Sequence, residues 1–113
     1  MTSEEFVKCI RNELLDQNAK AYKKMFLEYS QHQPRDAYWT KSTKLYRSLT
    51  IEQRETLETI IRQAMVDTIS NLFGILDGST ILERYRAEFS LTYNGKADKL
   101  NGELQDYFLA AEE

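Results

Sequence analysis

The chain is poor in the residues that build covalent, metal and nucleophilic sites. Its 113 residues include one cysteine, one histidine and one proline. A lone Cys9 cannot form an internal disulfide or a thiolate zinc site, and such usage is typical of a reducing, cytoplasmic setting. Neither Cys9 nor His32 lies in a sequence typical of a catalytic nucleophile. We therefore expect a non-enzymatic protein without a catalytic residue, a cofactor or a metal.

Glycine and long apolar runs are also scarce. The four glycines lie at positions 74, 78, 95 and 102, too widely spaced for a phosphate-binding loop, and each falls at a predicted turn or helix end. No run approaches the roughly 20 apolar residues that span a membrane, and residues 1–10 are too polar for a leader. We expect a cytoplasmic protein that does not contact a membrane.

Charge is nearly balanced in total but unevenly placed. Fifteen Lys and Arg against eighteen Asp and Glu give a net charge of −3, which argues against nucleic acid as a partner. Residues 35–50 hold four bases and one acid, whereas residues 51–113 hold twelve acids and six bases. The basic stretch is also rich in aromatic residues, and Arg, Trp and Tyr dominate protein-binding hot spots.

We call residues 35–50 the aromatic–basic stretch and predict that it binds a protein partner. The residues predicted to make the contact are Arg35, Tyr38, Trp39, Lys44, Tyr46 and Arg47. The alternative is that Trp39 and Tyr46 fold back onto the core while the basic side chains stay solvated.

Length and an apolar content of 42% predict a single domain over residues 1–113, of mainly α (α+β) class. The first of two long amphipathic helices begins at a capping box of Thr2 and Glu5 and ends before Pro34. Either this helix is kinked at Asp16–Asn18, or the molecule is elongated. Residues 35–49 lack a clean period and are predicted to be a short helix or an ordered loop.

The second long helix is the predicted centre of the fold. A capping box of Thr50 and Gln53 begins it, and apolar residues recur at helical spacing as far as Leu76. From Val66 to Leu76 apolar side chains spread around most of the circumference. Since only a covered helix tolerates that pattern, we expect this helix to be buried on several sides.

Turn signals follow the central helix. Asp77 and Gly78 predict the turn that ends it. Residues 85–93 alternate between apolar and polar, and they lead into Asn94 and Gly95, a strong signal for a tight hairpin turn. We therefore predict a C-terminal β-hairpin, followed by a short terminal helix over residues 103–110. A helix over residues 79–93 is the alternative.

Three carboxylates are the only other candidates for chemistry. Glu103 and Asp106 are spaced to share one helix face, and Asp67 lies in the apolar part of the central helix. Together they suggest a carboxylate-based, metal-dependent enzyme as an alternative function. The opposing interpretation is that a buried Asp67 pairs with Arg84 or Arg86, because burying a bare charge is costly.

Two segments, Leu76–Ser79 and Leu100–Phe108, resemble parts of small uncharacterised bacterial helical proteins. Those proteins have a Leu-Asp-Gly turn, a hairpin and a closing Leu-His-Asp-Leu-Phe-like segment, and some of them resemble immunity proteins of bacterial toxin systems. Gln105 stands here at the position of the histidine. The resemblance implies a bacterial source and a binding role. The predicted function is thus a protein-binding module, an immunity-like inhibitor of a toxin, with a self-associating structural dimer as the alternative.

Overall fold

The computed structural model describes residues 1–29 and 36–113. Helix α1 (Ser3–Ile10), a π-helical segment (Arg11–Asp16) and α2 (Gln17–Tyr29) follow one another without a break. Helices α3 (Ala37–Ser48), α4 (Ile51–Asp77) and α5 (Leu104–Ala110) complete the described elements. The prediction of a mainly helical chain with two long helices is confirmed. The predicted stop at Pro34 lies outside the described residues.

Side chains cap the starts of α1, α3 and α4, and the sequence predicts two of these caps, at Thr2 and Thr50. The Thr2 hydroxyl accepts from the N–H of Glu5 at 3.1 Å. Thr50 and Gln53 form both bonds of a capping box, at 3.2 and 2.9 Å. Asp36 Oδ1 accepts from the N–H groups of Tyr38 and Trp39, at 2.8 and 3.3 Å. This last cap begins α3, so the stretch predicted as a short helix or a loop is a helix.

The position considered for a kink in the first long helix lies where the helical type changes. The π segment ends at Asp16, and α2 begins at the next residue. Just beyond the junction, the side-chain amide of Asn18 donates to the carbonyl of Leu14 at 2.9 Å. Asn18 therefore bonds to its own helix backbone, as its residue type favours.

The predicted C-terminal β-hairpin is wrong. Residues 78–103 contain two isolated bridges, Leu82 with Tyr85 and Thr92 with Lys99, and no strand. The turn at residues 94–95 does form, with φ of 50° and 71°, and its closing hydrogen bond is 3.0 Å long. However, every side chain from 79 to 90 is exposed, and a hairpin that packs on nothing is only marginally stable in water. The helical alternative over residues 79–93 is absent as well.

The core lies where α1, the π segment, α4 and α5 meet. Its fully buried members come from all four elements and are Val7, Leu15, Val66, Ile69, Phe73, Leu104 and Phe108. The expectation that α4 is covered on several sides from Val66 to Leu76 is wrong, because Leu72 is 52% exposed and Thr68 and Asn71 are exposed as well. Among the described residues, no helix is both long enough and apolar enough to cross a membrane.

Asp77 and Asn101 fasten the end of α4 to the start of α5, and we call this pair the α4–α5 clasp. Asp77 accepts from the N–H groups of Gly102, Leu104 and Gln105, at 2.6, 3.2 and 2.9 Å. These are donors that a helix start leaves without intrahelical partners. The last residue of α4 thus caps α5 and fixes the direction in which α5 leaves.

Asn101, 6% exposed, makes the other half of the clasp. Its amide nitrogen donates to the carbonyls of Leu76 and Phe89, at 2.6 and 2.7 Å, and its oxygen accepts from the N–H of Leu91 at 2.8 Å. One side chain therefore satisfies three backbone groups on two separate stretches of chain. The Gly78 backbone, with φ of 87°, ends α4 in the left-handed conformation that glycine adopts without strain.

A carboxylate near the C-terminus joins the same core from the other side. Glu112 accepts from Arg11 and from Arg62, the latter at 2.7 and 3.1 Å. Arg11 also donates to the carbonyl of Phe108 and lies 4.3 Å above the ring of that residue. These contacts connect the π segment, α4 and the end of α5. The bonds from Arg62 and then Arg11 hold the pKa of Glu112 at about 2, below its ordinary 4.5, against the opposing effect of partial burial.

Replacement of Asn101 by alanine should destabilise the fold by about 2–4 kcal/mol, because the carbonyls of Leu76 and Phe89 and the N–H of Leu91 lose their partner together. Urea unfolding followed by circular dichroism measures this. Asn71→Ala is the matched control, since Asn71 is exposed on α4. Equal unfolding midpoints for the two variants would contradict the role of the clasp.

Glu112→Gln should lower the free energy of unfolding at neutral pH by about 1–2 kcal/mol. This is less than the full pKa shift would give, because the side chain is 21% exposed and water screens its ion pairs. The folded-state pKa is depressed, so the contribution is complete above pH 4.5 and is lost as the pH falls towards 2. The wild type and the variant should therefore converge in unfolding free energy across that window. Glu113→Gln, at an exposed neighbour, should run parallel to the wild type throughout.

Candidate protein-binding surface

Tyr46, a predicted contact residue, is part of the interior. It is 5% exposed and stacks on Phe26 with 4.7 Å between ring centroids and 3° between planes. Its hydroxyl donates to Glu58 at 3.1 Å, and the guanidinium of Arg54 lies 4.8 Å from its ring centroid. Burial, followed by the Glu58 contact, raises the pKa of Tyr46. Tyr46 joins α3 to α2 and α4 and is not available to a partner.

Trp39 is half-buried in the same aromatic cluster. Its ring centroid lies 5.5 Å from that of Tyr22, 5.8 Å from Phe26 and 5.1 Å from Tyr38. The alternative in which Trp39 and Tyr46 fold inward therefore describes most of this stretch. The remaining predicted contacts divide into two groups: Lys44 and Arg47 are exposed, and Arg35 lies outside the described residues.

Tyr38 is the one aromatic side chain of the stretch, among its described residues, that faces solvent, at 57% exposure. Its hydroxyl and that of Tyr22 are hydrogen-bonded, and this bond is the main reason that the pKa of Tyr22 is raised. The pair ties α3 to α2 at one end of a shallow apolar groove. The aromatic–basic stretch thus contributes a rim to a surface whose floor lies elsewhere.

We call this depression the α4 groove; it has a volume of about 550 Å³. One wall comes from the first long helix and α3 and consists of Leu14, Asn18, Tyr22 and Tyr38. The other wall belongs to α4 and consists of Ile61, Ala64, Met65, Thr68, Ile69 and Leu72. No residue of either wall carries a charge.

The α4 groove exposes large apolar side chains and few polar groups that need water. Leu14 and Leu72 are 45% and 52% exposed. Its polar members are bonded within their own helices: the Thr68 hydroxyl donates to the carbonyl of Ala64 at 2.8 Å, and Asn18 donates to that of Leu14. Covering the groove would therefore remove apolar surface from water and break few polar contacts.

Two other depressions have charged residues in their linings. A space of about 810 Å³ lies beneath the exposed segment after α4 and is lined by residues including Arg86, Glu88 and Lys99. A smaller one of about 420 Å³, between α2 and the first half of α4, has Lys20 and Glu55 at its edge. Charged residues of both signs line each of them, so neither has the uncharged lining of the α4 groove.

The three candidate carboxylates do not form a site. Asp67 is exposed and accepts from Gln63 at 2.8 Å, so its partner is neither Arg84 nor Arg86. Glu103 accepts from the hydroxyl of Tyr107 at 3.1 Å. Within residues 1–29 and 36–113, no three side chains of His, Cys, Asp or Glu come together in a way that could hold a metal ion.

Comparison with models of protein families, with curated proteins and with solved structures found no match. The resemblance to immunity proteins therefore stays a prediction. The segments that carried it do have a structural role, because Asp77, Asn101 and Gln105 belong to the junction of α4 and α5.

Sequence reasoning missed the α4 groove, although a signal for it was present. Ile61, Met65, Thr68 and Leu72 recur at intervals of four, three and four residues. This is a second helical stripe beside the one that enters the core. In the sequence alone, nothing distinguishes a stripe covered by the same chain from a stripe left open.

Tyr46→Ala should destabilise the fold by about 3 kcal/mol, since it removes a buried stacked ring and leaves a cavity. Tyr38→Ala should cost about 1 kcal/mol or less, because that side chain is mostly exposed. Thermal or urea unfolding compares the two. A larger loss from Tyr38→Ala than from Tyr46→Ala would contradict the assignment of Tyr46 to the interior and Tyr38 to the rim.

Proposed function

We propose that the chain is a non-enzymatic protein-binding module that docks a partner in the α4 groove. The observation that supports this most directly is the uncharged lining of the groove, with Leu14, Tyr38 and Leu72 each about half exposed. Contiguous apolar surface of this kind marks interaction sites on soluble proteins, whereas isolated exposed leucines do not.

The energetics favour a protein partner. Complete burial of one leucine contributes about 1.5–3 kcal/mol, and half of that remains to be gained at Leu14 and Leu72. Tyr38 adds a large ring with a polar end at the rim, the combination that is enriched in binding hot spots. The groove is shallow and open along its length, which suits a helix better than an enclosed small molecule.

A toxin inhibitor is a finer version of this proposal. The acidic excess of residues 51–113 would speed encounter with a basic partner through complementary fields. The groove itself has no charge, so it would provide the contact that follows encounter. This division between steering and docking is compatible with the immunity-like role that the resemblance implies.

The test is affinity capture from a lysate of the organism that encodes the protein, with the bait at low density. Leu72→Glu places a charge in the groove and should abolish recovery of groove-dependent partners, because the glutamate would be buried without a counter-ion. Ile60→Glu is the matched control: it lies on the same helix, is 60% exposed and is outside the groove.

We expect the wild type and Ile60→Glu to recover the same proteins, and we expect Leu72→Glu to lose them. Leu14→Glu, on the opposite wall, should reproduce the loss. Recovery of the same proteins by all four baits would show that binding, if any, uses another surface, and would overturn the proposal.

A further inference from the structure

The chain exposes more surface than a compact monomer of its size. Its accessible surface is 8552 Å², while a folded monomer of 13.3 kDa is expected to expose about 6,450 Å², a difference of roughly 2,100 Å². The shape agrees: the principal extents are 51 × 31 × 30 Å and the radius of gyration is 17.7 Å, against about 13 Å for a compact chain of this length.

The excess, summed over the whole chain, is larger than the area that one partner buries in a standard interface. A standard protein–protein interface buries about 800 Å² on each partner. Residues 79–90 are exposed throughout, and α4, whose 27 residues make a rod of about 40 Å, leaves Ile60 and Leu72 exposed. The α4 groove lies along the middle of that rod, so one neighbour could cover much of it.

We propose that the occupant of the α4 groove is a second copy of this chain, with the two α4 helices packed antiparallel about a twofold axis. The proposal rests on the α4 groove being the docking surface. In a twofold interface the same patch meets itself, so any charge of one sign in the patch would face its like. The groove has no charged lining residue and meets that requirement.

The spacing of the stripe on α4 is the second argument. Ile61, Met65, Thr68 and Leu72 are separated by four, three and four residues, and this order reads the same in both directions. When two such helices run antiparallel with the axis between positions 66 and 67, Ile61 faces Leu72 of the second copy. Met65 then faces Thr68 of the second copy in the same way. Alternating intervals of three and four residues are also the spacing at which paired helices interlock side chains.

The flanking charges are compatible with the same register. In this register Asp67 lies opposite Val66 of the second copy, and Arg62 lies opposite Asn71 of the second copy. Neither charged residue therefore faces a residue of the same charge. A strongly charged partner would meet no opposite charge in the groove, whereas a second copy would bring an identical apolar stripe against it. This comparison favours self-association over a charged partner as the occupant.

Sedimentation equilibrium of the wild type over a wide range of concentrations tests the proposal. We expect a monomer–dimer equilibrium. Leu72→Glu should raise the dissociation constant by at least about tenfold, because two unpaired charges enter the interface. Ile60→Glu should leave the dissociation constant unchanged. A wild type that is monomeric at every concentration overturns the proposal.

A second measurement tests the register without introducing a charge. In a Cys9→Ser background, a mixture of Ile61→Cys and Leu72→Cys proteins treated with a short bismaleimide should form crosslinked heterodimers. Either variant alone should crosslink much less, because in this arrangement residue 61 lies far from residue 61 of the second copy. The same holds for residue 72. A dimer that survives Leu72→Glu and gives no preference for the mixed crosslink uses another face and also overturns the proposal.

Failure of this inference and failure of the proposed function are distinguishable. A monomeric wild type that still captures another protein, with loss of capture only in Leu72→Glu, rules out the second copy and retains the groove as a docking surface. A monomeric wild type whose captures are indifferent to Leu72→Glu overturns both.

Discussion

The arrangement of the helices depends on the α4–α5 clasp. Asp77 satisfies three N–H groups at the start of α5. Asn101 satisfies the carbonyls of Leu76 and Phe89 and the N–H of Leu91. Backbone groups buried without partners would each cost free energy comparable to a lost hydrogen bond. The clasp removes that cost at the junction and brings α5 back along α4. Only then do Leu104 and Phe108 reach the core, where both are fully buried.

The rest of the core is organised around that return. Phe108 contacts Phe73 of α4 edge-on, with 5.6 Å between ring centroids, and lies beneath Arg11 of the π segment. Arg11 and Arg62 share Glu112, so the chain end connects α4 to the first long helix. One face of α4 is used in these contacts. Its other face is left beside Leu14 and Tyr38, and the α4 groove is the consequence.

This division of α4 explains its sequence. Apolar residues surround the helix from Val66 to Leu76, which is the pattern of a helix covered on several sides. The chain itself covers one side: Val66 and Phe73 are 3% and 2% exposed, whereas Leu72 is 52% exposed. The docking function that we propose would supply the missing cover from outside the chain. The aromatic–basic stretch, expected to make the contact itself, instead uses Tyr46 and Trp39 to hold α3 in place and offers Tyr38 as a rim.

The sequence by itself determined the elements whose signals are local. The cap at Thr50 and Gln53, the end of α4 at Gly78 and the tight turn at Asn94 and Gly95 each depend on side chains or φ angles a few residues apart. The tertiary structure alone decided what depends on distant surfaces. The alternating segment before Asn94 did not become a strand because its residues 85–90 are exposed to solvent and only its end, at Leu91, packs against the core. Asp77 proved to cap a helix that begins 27 residues later. Periodicity shows which residues share a face, but what that face contacts depends on how the helices pack together.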